Sequence, residues 1–308
     1  MSVLYWPNRP SGFQSGPPCP PTAACDVMEA YIPNRNIKLP LRTYLKELTS
    51  ETEDGNCQVF RAQLCEVLLL STLERNVVCK VAYGQRRIDD LLREADFYNT
   101  KLLGLQGTVV PRMYGCYRGY TEDGHTAVLI LEDCGYQLTY KLKFYDVAFR
   151  TQVVRAWLAV HDAGVLHNDF HSRNILVSRN ADGSPRVRLI DFGLSSDHST
   201  CPSAHEVDSD NLVPYQGMPE YFACKRIDLI FKERAEIWLP RTIRFARKSV
   251  PEEYLTSAEA VLDYTGVPSH MTIENARQYV QHLLTLNAKV WSDRLRLDAN
   301  AEDIESEL

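Results

Sequence analysis

Two short strings hold the residues whose types and spacing suit phosphoryl transfer. The first, His167-Asn168-Asp169-Phe170-His171-Ser172-Arg173-Asn174, has the form H-x-D-x-x-x-x-N, and the second is Asp191-Phe192-Gly193. Together they supply a carboxylate, an amide a few residues on, and a second carboxylate. Such oxygens suit a hard cation like magnesium. Transfer of a phosphoryl group from Mg-ATP depends mostly on positioning and charge neutralisation, which this set could provide. One further charge stands out: Lys80, alone in the apolar run Asn76-Val77-Val78-Cys79-Lys80-Val81-Ala82-Tyr83. A lysine in such a strand either snorkels to solvent or meets an anion.

These residues need elements to position them. Between the two strings, apolar residues at 175–177 and 187–190 flank Asp182-Gly183, which predicts a β-hairpin. Asp169 and Asn174 then precede it, and Asp191 ends its returning strand. Phe60, Ala62 and Leu64 alternate with Arg61 and Gln63, as in a half-buried strand. Residues 76–83 form the Lys80 strand, and further strands are expected near 109–117 and 126–131. Ile88, Leu91, Leu92, Ala95, Tyr98 and Leu102 recur at helical spacing. Beyond Gly135, Phe149, Val153, Val154, Trp157, Leu158 and Val160 mark a helix that should stop at Ala163-Gly164. Residues 195–216 read as a long loop. The remainder reads as mostly helical, with Thr272 capping a helix that carries Ala276, Val280, Leu283, Leu284, Asn287 and Trp291 on one side.

The chain has 308 residues, 44% of them hydrophobic, enough for one large two-lobed unit or two small domains. Net charge is −6 with Lys and Arg scattered, which disfavours nucleic acid or an anionic membrane as partner. No apolar run reaches the length of a membrane span, and Trp6, Pro7 and Pro10 interrupt the place of a signal peptide. The nine cysteines form no C-x-x-C pair, which fits reduced thiols. A soluble, cytoplasmic protein is expected, with the nucleus left open. Residues 1–40 hold eight of the sixteen prolines and read as an extended tail. His198, Cys201 and His205 could together hold zinc. Their spacing fits no named zinc module, so a metal-free loop is the expectation.

Taken in order, the Lys80 strand, the H-x-D-x-x-x-x-N string and Asp-Phe-Gly resemble the signature set of the protein-kinase-like superfamily over roughly residues 42–235. The resemblance implies an α+β, two-lobed fold with a small antiparallel-sheet N-lobe carrying one helix and a larger, mainly helical C-lobe. The implied organisation is a tail at 1–40, N-lobe at 41–131, hinge at 132–135, C-lobe at 136–297 and acidic tail at 298–308. It implies ATP and Mg as cofactors. Lys80 would pair with Glu94 and touch the α- and β-phosphates; Asp96 is the competing acid, about 200° away around the helix. Asp169 would be the catalytic carboxylate, Asn174 and Asp191 the magnesium ligands, and His167 a loop-holding residue. Leu129-Ile130-Leu131-Glu132-Asp133-Cys134-Gly135 resembles the hinge. There Glu132 and Cys134 would present backbone groups to adenine, Leu131 would lie behind the base, and Leu176 would be its apolar floor.

Some positions depart from the family pattern. Thr52-Glu53-Asp54-Gly55-Asn56-Cys57-Gln58-Val59 has one glycine where a phosphate-covering loop has several. Asn168 replaces an arginine that grips phosphorylated loops. His171 is similar to small-molecule kinases and Arg173 to some tyrosine kinases. Gly217-Met218-Pro219-Glu220-Tyr221-Phe222-Ala223-Cys224-Lys225 resembles a substrate-docking loop or, alternatively, starts a helix after Pro219. The expectation is an atypical protein kinase acting on a protein hydroxyl. A kinase of choline- or aminoglycoside-like small molecules and a nucleotide-binding pseudokinase scaffold are the alternatives. Oligomeric state is not readable.

Overall fold

A computed structural model of the chain describes residues 3–7, 25–33, 42–54, 57–67, 72–201, 207–208, 211–214, 222–238 and 242–300. The chain is α+β and divides into two compact units, Met1–Thr139 with Ala156–His205, and Tyr140–Arg155 with Glu206–Leu308. No helix among the described residues is long and apolar enough to cross a membrane.

The first unit is built on a sheet. Its strands are β1 (Val3–Pro7), β2 (Cys25–Pro33), β3 (Arg42–Asp54), β4 (Cys57–Val67) and β5 (Thr72–Tyr83), followed after the helix α1 (Gln85–Asn99) by β6 (Met113–Thr121) and β7 (Gly124–Glu132). They close into a barrel in the order β1-β2-β6-β7-β5-β4-β3. Every pairing is antiparallel except β1 with β3, which run parallel and complete the ring. Strands β1 and β2 lie in the segment expected from its prolines to be an extended tail. Pro7 and Pro33 fall at strand ends, where a missing N–H is tolerated; the run Pro17–Pro21 lies outside the described residues.

Side-chain alternation decides what each strand face does. Val77, Cys79 and Val81 of β5 and Val128 and Ile130 of β7 point into the barrel, against Leu4, Met28, Leu45, Leu64 and Tyr117. The intervening residues of β5, Lys80 among them, face the other way. Helix α1 covers that outer face with Ile88, Leu91, Ala95 and Tyr98, all buried at helical spacing. A strand covered on both faces reads as continuously apolar, which accounts for the run around Lys80.

The short strand β8 (Tyr136–Gln137) follows β7. The helix α2 (Val147–Asp162) stops as expected, with Gly164 at φ 75°. Strand β9 (Val165–Leu166) leads to the hairpin of β10 (Ile175–Arg179) and β11 (Pro185–Leu189), whose turn holds Gly183 at φ 84°. Strand β12 (Ser196–Asp197) pairs with β9, so the expected loop after residue 195 is tied down at its start.

The second unit is less helical than expected. Beside α3 (Lys225–Leu229) and a π-helical turn at Ile230–Arg234 stands a hairpin of β13 (Ile243–Phe245) and β14 (Lys248–Val250). Its turn places Ala246 and Arg247 at φ 51° and 63°, a geometry normally announced by glycine or asparagine. With neither present, the sequence carries no hairpin signal. The hairpin packs on α4 (Ala258–Thr265) and α5 (Ile273–Asn300) through Phe245, Val250, Val261, Ala276 and Val280. Thr272 caps α5 as expected, its Oγ1 accepting from Asn275 N–H at 3.2 Å. Residues 298–300, the start of the expected acidic tail, are the last of that helix.

Candidate active site

Every residue singled out for nucleotide chemistry lies in the first unit. Lys80 projects from β5 toward α1 and donates from Nζ to Glu94 Oε2 at 2.6 Å and to Asp191 Oδ1 at 2.9 Å. Glu94 is 2% exposed, whereas Asp96 faces solvent. Burial alone would lower the Lys80 pKa, but the two carboxylates hold it well above the usual lysine range, so the ammonium keeps its charge. Burial pushes the Glu94 carboxyl up, against the pull of Lys80 and of the Phe192 N–H that Glu94 Oε1 accepts at 3.3 Å. Burial also works against the Asp191 carboxylate, yet Lys80 holds its pKa below the usual 3.8.

Asp191 occupies a left-handed backbone conformation, φ 67°, rare for a residue with a side chain. Phe192 follows it into a fully buried site, edge-on to the Tyr98 ring at 5.4 Å and against the His167 ring at 4.9 Å. His167 Nε2 donates to Ile190 O at 2.9 Å, and its Nδ1 accepts the Asp169 N–H at 3.3 Å. That pattern needs a neutral ring, and burial lowers the imidazole pKa in agreement. His167 thus ties the Asp169 loop to the segment that leads from β11 to Asp191.

The Asp169 carboxylate is held from two sides. Arg173 Nη2 donates to Oδ1 at 2.9 Å and to Oδ2 at 2.7 Å, and Asn174 Nδ2 donates to Oδ2 at 3.0 Å. His171 Nε2 lies 3.4 Å from Oδ1. Asn174 is 4% exposed, and its backbone oxygen accepts the Ile190 N–H at 3.1 Å. The hairpin register therefore puts Asn174 opposite the residue that precedes Asp191.

The 131–135 stretch lies at the end of β7. Leu131 is buried there, beside Val78 and Met113 in the ladder, and Leu176 is half-buried on β10. Glu132 donates its N–H to Arg112 O at 2.8 Å. Among the described residues, the Cys134 N–H and C=O have no hydrogen-bond partner, and burial pushes its thiol up to about 12. Gly135, at φ 100°, passes so close to β10 that a Cβ would lie 2.2 Å from Val177 O. Only glycine fits there. The strands β3 and β4 pair out to Asp54↔Cys57; Gly55 and Asn56, the tip of the expected phosphate loop, lie outside the described residues. Cys57, Val59, Lys80, Glu94, Asp191 and Leu194 line one pocket.

Three contacts were not legible in the sequence. Arg61 bridges Asp133 Oδ2 at 2.9 Å and Gly135 O at 2.8 Å. Arg93, next to Glu94, donates to Gly193 O at 2.9 Å. Asn168, in the position of the absent arginine, donates to Leu194 O at 3.0 Å and Ser196 Oγ at 3.1 Å. Each has a partner tens of residues away that no local pattern names. Of the docking-loop resemblance, residues 217–221 lie outside the described residues, and α3 starts at Lys225.

No protein-family model matches the chain. It is 28% identical over 126 residues to mouse serine/threonine-protein kinase DCLK3, covering 38% of this chain and 16% of that protein. It is also 28% identical over 171 residues to mitogen-activated protein kinase HOG1A of Wallemia ichthyophaga, covering 51% of this chain and 42% of that one. The match thus spans less than half the length of either relative. These distant similarities suggest a kinase-like relationship, with which the antiparallel sheet and its helix α1 are compatible.

Proposed function

We propose that the chain is an ATP- and magnesium-dependent phosphotransferase that transfers the γ-phosphate to a hydroxyl of a protein. In this reading residues 41–131 and 136–297 act as the two lobes of a kinase-like fold, with 132–135 as hinge. The observation that carries it is the triad in which Lys80 bridges Glu94 and Asp191. A half-buried lysine is stabilised with its charge intact and aimed at the carboxylate that follows the hairpin.

The donor set fits the implied cofactors. Asp191 is kept ionised, and Asn174 gives its Nδ2 to Asp169, which leaves Oδ1 as a hard oxygen ligand. Asp191 and Asn174 would hold magnesium, which when bound would neutralise charge on the phosphates. Lys80 would hold the α- and β-phosphates, with Glu94 fixing its direction. Asp169 would orient the acceptor hydroxyl and take its proton, while Arg173 and Asn174 keep the carboxylate oriented. The backbone of Glu132 and Cys134 would bind the base, between Leu131 and Leu176.

A nucleotide-binding scaffold without transfer is the second reading. It is favoured by Glu53 and Asp54 at the β3 end of the hairpin tip, where acids repel phosphate. Labelled ATP with magnesium, offered to a protein mixture and to a panel of small hydroxyl compounds, separates the readings. Transfer to protein that falls about 10²–10⁴-fold in Asp169→Ala is expected. Transfer confined to small compounds would move the substrate class. No transfer above the Asp169→Ala level, with an Asp191-dependent thermal shift by Mg-ATP, would leave the scaffold.

A further inference from the structure

Away from the Lys80 triad, the first unit gathers three side chains with nitrogen and sulfur donors. His161, in the last turn of α2, puts Nε2 3.3 Å from the Sγ of Cys201. The ring of His198 lies 5.0 Å from that of His161, and donor atoms of all three residues lie within 4.8 Å of one another. The expected trio used His205, which lies outside the described residues; the structure brings in His161, 37 residues before His198, which spacing could not suggest.

The surroundings of the three resemble those of a built site more than a chance meeting of loops. The His161 ring is buried, stacked on Trp157 at 5.2 Å. Its Nδ1 faces Asp162 Oδ1 at 3.5 Å. A carboxylate on one imidazole nitrogen turns the lone pair of the other outward, the arrangement that orients metal-binding histidines. The segment carrying the other two donors is tied down. His198 N–H donates to Gly164 O at 2.9 Å, and Cys201 N–H donates to His198 O at 3.2 Å. Lys101 Nζ donates to Gly164 O at 3.0 Å and to Ser199 Oγ at 2.6 Å. The separations are also right: tetrahedral zinc with nitrogen at about 2.0 Å and thiolate at about 2.3 Å sets those two ligand atoms about 3.5 Å apart.

We propose that His161, His198 and Cys201 bind a zinc ion that fastens the segment after Asp-Phe-Gly to the end of α2. Binding replaces the Cys201 S–H bond with a zinc–sulfur bond and releases that proton to solvent, and a fourth ligand position goes to water or another donor. None of the three residues enters the proposed phosphoryl transfer, so this inference stands or falls separately.

The untagged full chain, loaded with zinc and dialysed, should carry one zinc per chain by elemental mass spectrometry. Cobalt in its place should give the charge-transfer absorption of a thiolate ligand. His161→Ala would empty a buried site, so His198→Gln and Cys201→Ser carry the test, with circular dichroism confirming their fold. Both should lose the metal and the absorption, and Asp162→Asn should weaken binding by about 10–100-fold. Asp191→Asn should retain the zinc. Metal-free wild type, zinc that survives Cys201→Ser, or zinc lost only in Asp191→Asn would each overturn the proposal.

Discussion

Lys80 and Glu94 depend on each other for stability as well as for the proposed chemistry. Lys80→Met would leave the Glu94 carboxylate buried with the Phe192 N–H opposite it, which should cost about 3–5 kcal/mol of unfolding free energy. Adding Glu94→Gln removes the stranded charge and should recover most of that loss, while the proposed nucleotide binding should stay impaired. Urea melts of the single and double variants measure this. A Lys80→Met cost under about 1 kcal/mol would mean a solvated pair. His167 gives a pH signature. Its folded pKa lies below the ordinary 6.5, so below that pH the unfolded chain binds a proton that the folded ring refuses. The stability it contributes is full above pH 6.5 and shrinks as pH falls toward the folded value, at up to about 1.4 kcal/mol per pH unit. His167→Gln should flatten stability between pH 7.5 and 5.5 relative to wild type; an unchanged slope would count against a neutral, buried ring. Lys80 stood out as a lone charge in an apolar run and Asp191 by its place in Asp-Phe-Gly, whereas the pairing with Glu94 was legible only through the family resemblance. The grip of Arg173 on Asp169 has short range but depends on loop geometry, and Asn168 finds partners only after folding.

At the scale of elements, legibility follows turn chemistry. The β10–β11 hairpin could be read because Asp182-Gly183 supplies the turn; the β13–β14 hairpin could not, because Ala246-Arg247 does the same work without a glycine. Helices α1, α2 and α5 could be read from apolar spacing, and α2 and α5 also from an end signal. Gly135 belongs here too. Its positive φ and its approach to Val177 let β8 pair with β10 beside the end of β7. Gly135→Ala should cost at least about 1–3 kcal/mol in backbone strain. Because the strain falls where the base would bind, affinity for ATP should drop along with the melting temperature. Calorimetric melting and nucleotide titration check both, and an alanine variant with wild-type values would show that the backbone can move aside.

For the whole molecule, the α+β character and the antiparallel sheet were within reach of the sequence; the closure of that sheet was not. Ring closure needs Val3 beside Arg42 in a parallel pair and Val3 beside Glu29 in an antiparallel one, contacts across proline-rich stretches with no periodicity to reveal them. Closing the ring leaves β2 and β3 no open edge along the stretch β1 occupies. Removing the first seven residues would bare the main-chain amides and carbonyls of both strands at once. Two such shortened chains should zip together edge to edge, and sedimentation should show concentration-dependent self-association stronger than that of the 308-residue chain. Seen this way, β1 is a gasket: a few residues with no proposed part in the chemistry that should keep one copy of the protein from becoming the template for the next.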